Sequence, residues 1–188
     1  MPVDSLKAGS ALVLIDLQRG ITALPTVHPA DEVVERAARL AGAFRDHELP
    51  VVLVNVAFSP DGGDVLRARV DAQPPAVTQS ADFAELRPEL AQAPGDLRIT
   101  KRGWDAFFGT ELDLQLRRRG IEGIVLAGIS TSIGVEATAR SAHAHGYEVV
   151  VAADAVTDMS ESAHRNSIET IMPRLARLGD TEAIIAAL

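Results

Sequence analysis

Three segments of this 188-residue chain carry side chains able to do acid–base chemistry. Asp16 lies in the run Ala-Leu-Val-Leu-Ile-Asp-Leu-Gln at 11–18, directly after its apolar stretch. Lys101 follows the extended run at 96–100. The stretch 126–140, Leu-Ala-Gly-Ile-Ser-Thr-Ser-Ile-Gly-Val-Glu-Ala-Thr-Ala-Arg, joins a strand-like run to a helix-like one and places Gly134 near the turn. Burial raises a carboxyl pKa, as a general acid at neutral pH requires. A neighbouring ammonium pulls the other way, and an anionic substrate close to Lys101 would offset that pull. The chain contains no cysteine, which excludes a thiolate nucleophile, disulfides and thiolate metal sites. Ser130, Thr131 and Ser132 have no histidine base within their motif, so a hydroxyl nucleophile is not expected.

The elements that must position these groups alternate along the chain. Residues 11–17 read as a first strand. Asp31 suits an N-cap, and Val33, Ala37, Leu40, Ala41 and Phe44 then recur at helical spacing. Pro50 introduces the buried strand 51–56. Residues 57–82, with Pro60, Gly62, Gly63, Pro74 and Pro75, read as a long loop that could lie over a site as a lid. A short helix is expected over 82–90, a third strand over 97–101, and a helix capped by Thr110 and stopped at Gly120. Further expectations are a strand at 121–128, a helix at 134–145, a strand at 147–152, a helix at 161–174, a short strand at 175–178 and a closing helix at 180–188. Such alternation implies a parallel sheet covered on both faces. In open sheets of this kind the site lies at the carboxyl ends of the strands, where strand order reverses. Asp16, Lys101 and the 128–134 turn all fall at such ends, which makes them the candidate site.

Composition agrees with one α/β domain over 1–188. The chain is 47% hydrophobic but only 4% aromatic, so an aliphatic core is expected. A net charge of −8 disfavours nonspecific nucleic-acid binding. No apolar stretch reaches the ~18 residues of a membrane span. The N-terminus lacks a signal-peptide core, and a cytoplasmic protein is expected.

Taken in order, Leu-Ile-Asp-Leu-Gln (14–18), Thr-Lys-Arg-Gly-Trp-Asp-Ala-Phe-Phe-Gly-Thr-Glu-Leu (100–112), Ala-Gly-Ile-Ser-Thr-Ser-Ile-Gly-Val-Glu-Ala-Thr-Ala-Arg (127–140) and Gly-Tyr-Glu-Val-Val-Val-Ala-Ala-Asp-Ala (146–155) resemble the isochorismatase-like hydrolase family. This superfamily includes nicotinamidases and N-carbamoylsarcosine amidase. The resemblance implies a Rossmann-like three-layer α/β/α sandwich with a parallel sheet of about six strands. It implies that Asp16 and Lys101 are the family's Asp and Lys, which in the amidase branch activate a cysteine in the pattern Gly-x-x-Thr-x-x-Cys. Here the pattern reads Gly128-Ile-Ser-Thr131-Ser-Ile-Gly134, so the covalent route is closed. A cis peptide just before the threonine, at Ser130–Thr131, is also implied. The isochorismatases proper share the glycine and hydrolyse a vinyl ether. A proton reaches the enolpyruvyl methylene carbon, water adds to the oxocarbenium ion, and the hemiketal collapses to pyruvate and a diol. The expected function is therefore acid-catalysed hydrolysis of an enol ether such as isochorismate, in secondary metabolism, with Asp16 as acid. The alternative is a non-catalytic binding or regulatory protein on the same fold.

Around the catalytic candidates Asp16, Lys101 and Gly134, the substrate-binding candidates are Gln18, Trp104, Phe107, Ile129, Ser130, Thr131 and Ile133. Lys101 is expected to orient Asp16 and to bind a substrate carboxylate or enol oxygen. Trp104 and Phe107 could wall a planar substrate, and Arg67, Arg69 and Arg102 are cations available to an anionic one. Nicotinamidases bind a metal through an Asp and two His residues after the second strand. Residues 57–82 hold no histidine, so neither a metal of that type nor another cofactor is expected. His164 is expected to pack a helix. A small-molecule substrate and a homo-oligomer, dimer or larger, complete the expectations; nucleic acid and membrane are not expected partners.

Overall fold

The computed structural model describes residues 3–72, 80–90 and 93–188. Six strands form one sheet: β1 (Ser10–Ile15), β2 (Val51–Val56), β3 (Leu97–Lys101), β4 (Gly123–Ile129), β5 (Glu148–Thr157) and β6 (Arg177–Gly179). All neighbours pair in parallel, in the order β3-β2-β1-β4-β5-β6. The chain builds outward from β1 to β3, then returns to the other side of β1 with β4. The strand order therefore reverses between β1 and β4, where a ligand crevice is expected.

Strands buried on both faces are apolar throughout, and β1, Ser-Ala-Leu-Val-Leu-Ile, is buried at every position. Successive side chains go to opposite sides. Ala11, Val13 and Ile15 join a core with Leu112 and Leu116 of α3 (Leu112–Arg118) and with Ala139 and Ala142 of α4 (Glu136–Ala144). Leu12 and Leu14 join a second core with α2 (Ala30–Asp46) and Ile184 of α6 (Thr181–Ala186). The remaining helices are the short α1 (Arg19–Thr22) and α5 (Glu161–Asn166). The result is the three-layer α/β/α sandwich expected from the sequence. None of the helices is long and apolar enough to cross a membrane among the described residues.

Several boundaries differ from expectation. Residues 82–90 are not a helix; only a 3₁₀ turn at Pro88–Leu90 forms, and Leu86 makes an antiparallel bridge to Gln18. The backbone of this segment is committed elsewhere. The Phe83 and Glu85 carbonyls accept from the Gly20 and Arg19 amides, and the Arg87 amide donates to the Leu17 carbonyl. The helix expected over 134–145 begins as a π turn at Thr131–Val135 and becomes α-helical at Glu136. The helix expected over 161–174 breaks into α5, a π turn at Ser167–Ile171 and a 3₁₀ turn at Met172–Arg174, where Pro173 supplies no backbone donor. Asp31 sits in the first turn of α2 rather than capping it, and Pro29 takes the cap position. Residues 57–72 form turns without helix or strand; Pro74 and Pro75 lie outside the described residues.

Candidate active site

Asp16 directly follows β1 and has a left-handed backbone, φ 51°. Its amide donates to the Val54 carbonyl (3.0 Å), which fixes the turn over β2. Beside it, the β1–β4 seam admits no side chain. A Cβ on Gly128, which has φ 130°, would lie 2.1 Å from the Ile15 carbonyl oxygen. Glycine is required there by contact as well as by conformation.

Lys101 ends β3, two strands from Asp16, and reaches across β2. Its ammonium lies 2.8 Å from Asp16 Oδ2, and both side chains are almost closed to solvent. The other two ammonium hydrogens have partners in the Gly103 and Trp104 carbonyls, at 3.1 and 2.7 Å. Three donors thus meet three acceptors. Lys101 is bonded to Asp16 and keeps no hydrogen for a substrate carboxylate or enol oxygen. Asp16 Oδ1 is buried and has no hydrogen-bond partner. Desolvation pushes the Asp16 pKa up to about 6, against the opposing attraction of Lys101.

Gly134 faces this pair. A Cβ at Gly134 would lie 3.0 Å from Ile15 Cγ2, 3.3 Å from Asp16 Oδ2 and 3.5 Å from Lys101 Nζ. The three segments singled out in the sequence therefore meet at one point. The neighbours stand close enough that even a methyl group there would displace them by tenths of an ångström. Thr138, one helical turn on, donates its hydroxyl to the Gly134 carbonyl (2.7 Å) and accepts from the Ala106 amide (3.1 Å), tying the glycine turn to the loop after Lys101.

The remaining candidates divide. Ser130, Thr131 and Ile133 lie on the turn itself. The Ser130 hydroxyl contacts Met159 Sδ at 3.2 Å, and Thr131 is fully buried with its hydroxyl 2.9 Å from His164 Nδ1. The cis peptide falls at Ile129–Ser130, one bond earlier than Ser130–Thr131. Ile129 packs into the α2-side core. Gln18 is fully buried. Its amide donates to the Val56 and Phe83 carbonyls, both at 2.9 Å, and its carbonyl accepts from the Val56 amide at 2.7 Å. Both donors are used in joining three chain segments, so Gln18 is a brace with no donor for a ligand. Phe107 is also diverted: it packs against the His145 and Tyr147 rings in the α4-side core. Trp104 follows the Lys101 turn and is 65% exposed. Arg102 is held by Asp64 and by the Ala57 carbonyl, and Arg67 donates to the Gly62 carbonyl.

Two further residues organise the turn and escape a reading of the sequence. Asp158, buried after β5, accepts from both the amide and the hydroxyl of Ser132 (2.7 and 2.8 Å). His164, expected only to pack its helix, holds Thr131 instead. Their partners lie 26 and 33 residues away in sequence, so no local spacing signals them. Thr138 was detectable in principle, since a mid-helix threonine can bond the carbonyl four residues back. Among the described residues no cluster of three or more His, Cys, Asp or Glu side chains could hold a metal ion.

A doubly covered parallel sheet with a buried Asp–Lys pair against a glycine-bearing strand-to-helix turn is the arrangement that the resemblance to the isochorismatase-like hydrolases implies. The isochorismatase domain model matches residues 10–183, and the chain belongs to that family. It is 49% identical over 182 residues to the isochorismatase family protein YecD of Escherichia coli O157:H7, covering 95% of this chain and 96% of that one. It is 32% identical over 171 residues to a maleamate amidohydrolase of Pseudomonas putida, with 84% and 76% covered. A solved isochorismatase family protein from Burkholderia thailandensis superposes with a TM-score of 0.94 at 43% identity, covering 100% of this chain and 98% of the other.

Proposed function

We propose that this isochorismatase-family hydrolase works without a covalent intermediate, and that Asp16 is the general acid for hydrolysis of an enol ether such as isochorismate. One observation carries the reading: Asp16 Oδ1 is buried without a partner beside a position where glycine replaces any nucleophile. Oδ2 is engaged by Lys101, so Oδ1 is the oxygen free to carry the reactive proton. With a pKa of about 6, part of the Asp16 population is protonated near neutrality, as a general acid needs. The proton passes from Oδ1 to the methylene carbon of the vinyl ether. Water adds to the oxocarbenium ion and returns a proton to the carboxylate, and the hemiketal then breaks to pyruvate and the diol. Amide hydrolysis is the less favoured chemistry, because nothing at Gly134 can form an acyl intermediate.

The test is conversion of isochorismate, followed by coupled detection of pyruvate. Wild type should turn over and Asp16→Asn should lose at least ~100-fold, the scale of a general acid's contribution. Equal rates for the two proteins would defeat the proposal. A second reading, ligand binding without turnover, is supported by the absence of any cysteine and by glycine at position 134. It predicts saturable binding of isochorismate with no pyruvate released. Homo-oligomerisation is also proposed, supported by the exposed rings of Trp104 and Phe108, the latter 87% accessible. Light scattering giving a monomer mass would exclude it.

A further inference from the structure

Besides Thr138, the turn that carries Gly134 is held by the side chains of Asp158 and His164. Ser132 is bound through its amide and hydroxyl to Asp158, and the Asp158 carbonyl in turn accepts from the Val27 amide at 2.8 Å. The Thr131 carbonyl accepts from the Glu136 amide within the turn, and its side chain is held by one contact, the hydroxyl 2.9 Å from His164 Nδ1. The His164 ring is also edged by the His28 ring at a centroid distance of 5.1 Å and an interplanar angle of 80°. His28 is fixed in turn, since its amide donates to the Thr157 hydroxyl at 3.0 Å. One imidazole thus joins α5, the segment after α1 and the turn after β4.

We infer that His164 is a positioning residue for the Asp16–Lys101 site: as a neutral ring it accepts the Thr131 hydroxyl and so sets where Gly134 stands, and protonation undoes that hold. In the neutral ring with its proton on Nε2, Nδ1 is an acceptor and Thr131 is the donor. A protonated ring has donors only. The Thr131 hydroxyl must then rotate to accept, and its own proton is left seeking an acceptor in a place closed to water. An unpaired buried hydroxyl is costly, so the turn shifts instead. The Gly134 backbone walls the Asp16–Lys101 pair, since a single added carbon there would stand 3.3 Å from Asp16 Oδ2 and 3.5 Å from Lys101 Nζ, so a shift of the turn changes the space beside the carboxyl.

The charged and titratable groups acting on the ring are two. His28, from the segment after α1, opposes protonation, and Asp158, from the turn before α5, favours it. On its own helix, Glu161 and Arg165 pair with each other at the surface. Burial is the largest influence and holds the His164 pKa below the ordinary histidine value, with His28 adding to it. The ring is therefore neutral at physiological pH and protonates only on acidification.

The inference rests on the proposed role of Asp16 only for its kinetic consequence; its structural part can be read without a substrate. Nitrogen-15 spectra of the full chain would follow the His164 ring and the Gly134 amide from pH 8 to pH 5. The Gly134 resonance should move in step with the His164 titration. His164→Asn, whose side-chain oxygen can stand in for Nδ1 without titrating, should keep the pH 8 resonance and abolish the movement. His164→Ala and the near-isosteric Thr131→Val should displace the resonance already at pH 8, and His28→Ala should raise the pH at which the ring titrates. With isochorismate as probe, kcat should fall ~10- to 100-fold in His164→Ala, with KM changing less and His164→Asn recovering part of the loss. A Gly134 resonance unmoved in Thr131→Val, or fixed while His164 titrates, overturns the inference even if His164→Ala does not fold. If isochorismate is not consumed, the proposed reaction fails while the resonance test still decides the role of His164.

Discussion

Asp16 faces a lysine at 2.8 Å, and a carboxylate so paired ordinarily has a lowered pKa and strengthens the fold as pH rises. Here burial outweighs the pairing, and the pKa is pushed up to about 6 from an ordinary aspartate value near 3.8. The sign of the linkage is therefore inverted. Between these two values the native state binds more protons than the unfolded chain, so the Asp16 contribution is fully present below about pH 3.8 and is lost as pH rises through about 6. A rise of this size corresponds to roughly 3 kcal/mol, most of it expressed between pH 4 and pH 7. Asp16→Asn removes this titration and leaves all others in place. In the native state the amide stands as protonated Asp16 does, beside the same Lys101 ammonium, so the comparison reads the ionisation of Asp16. Urea unfolding of both proteins at half-unit steps from pH 4 to pH 7 isolates the varying part. The stability advantage of wild type over Asp16→Asn should shrink by ~2 kcal/mol across the series. A flat difference, or one that grows with pH, would refute the argument that desolvation governs this carboxyl and remove the basis for Asp16 as an acid near neutrality.

Three other outcomes are expected. Gly134→Ala should fold but press on Asp16 Oδ2 and Ile15, excluding solvent further and moving the alkaline limb of the rate profile, where Asp16 loses its proton, to higher pH; an unchanged profile would mean the methyl group is accommodated elsewhere. Gly134→Cys restores a thiol but not the room for one, so amide hydrolysis should stay near background on maleamate; vigorous turnover would show that Ile15 and Lys101 yield easily. Gln18→Leu takes the acceptor from the Val56 amide and one donor each from the Val56 and Phe83 carbonyls, the latter keeping the Gly20 amide, and should cost ~1–3 kcal/mol in a denaturant titration while exposing the segment around residue 85 to limited proteolysis.

The sequence announced the sheet wherever a strand is buried on both faces. Pro50 and the six apolar or small residues after it delimit β2 without error, because such a run has no competing helical pattern. It also brought Asp16, Lys101 and Gly134 together, since strand ends in a parallel sheet share one edge. It failed where backbone carbonyls decide the outcome. Nothing at position 101 reveals that the Gly103 and Trp104 carbonyls will consume the ammonium, or at position 18 that Val56 and Phe83 will consume the amide. Phe107 stands between two readings for a related reason. Its aromatic character suits a ligand wall and a core equally, and only the tertiary position of Tyr147 and His145 decides between them. Asp158 and His164 were invisible as clamps because the turn they hold is reached only through the folded sheet.

The central position of β1 has a consequence for synthesis of the chain. β1 leaves the ribosome first among the strands, yet one of its edges stays open until β4, residues 123–129, has been made. For most of translation the nascent polypeptide presents an uninterrupted greasy ribbon with half its amides unclaimed, the form most prone to self-association. A fragment ending at residue 122 should precipitate or require a chaperone, whereas one extended through β5 should remain dispersed, as sedimentation of translated fragments would reveal.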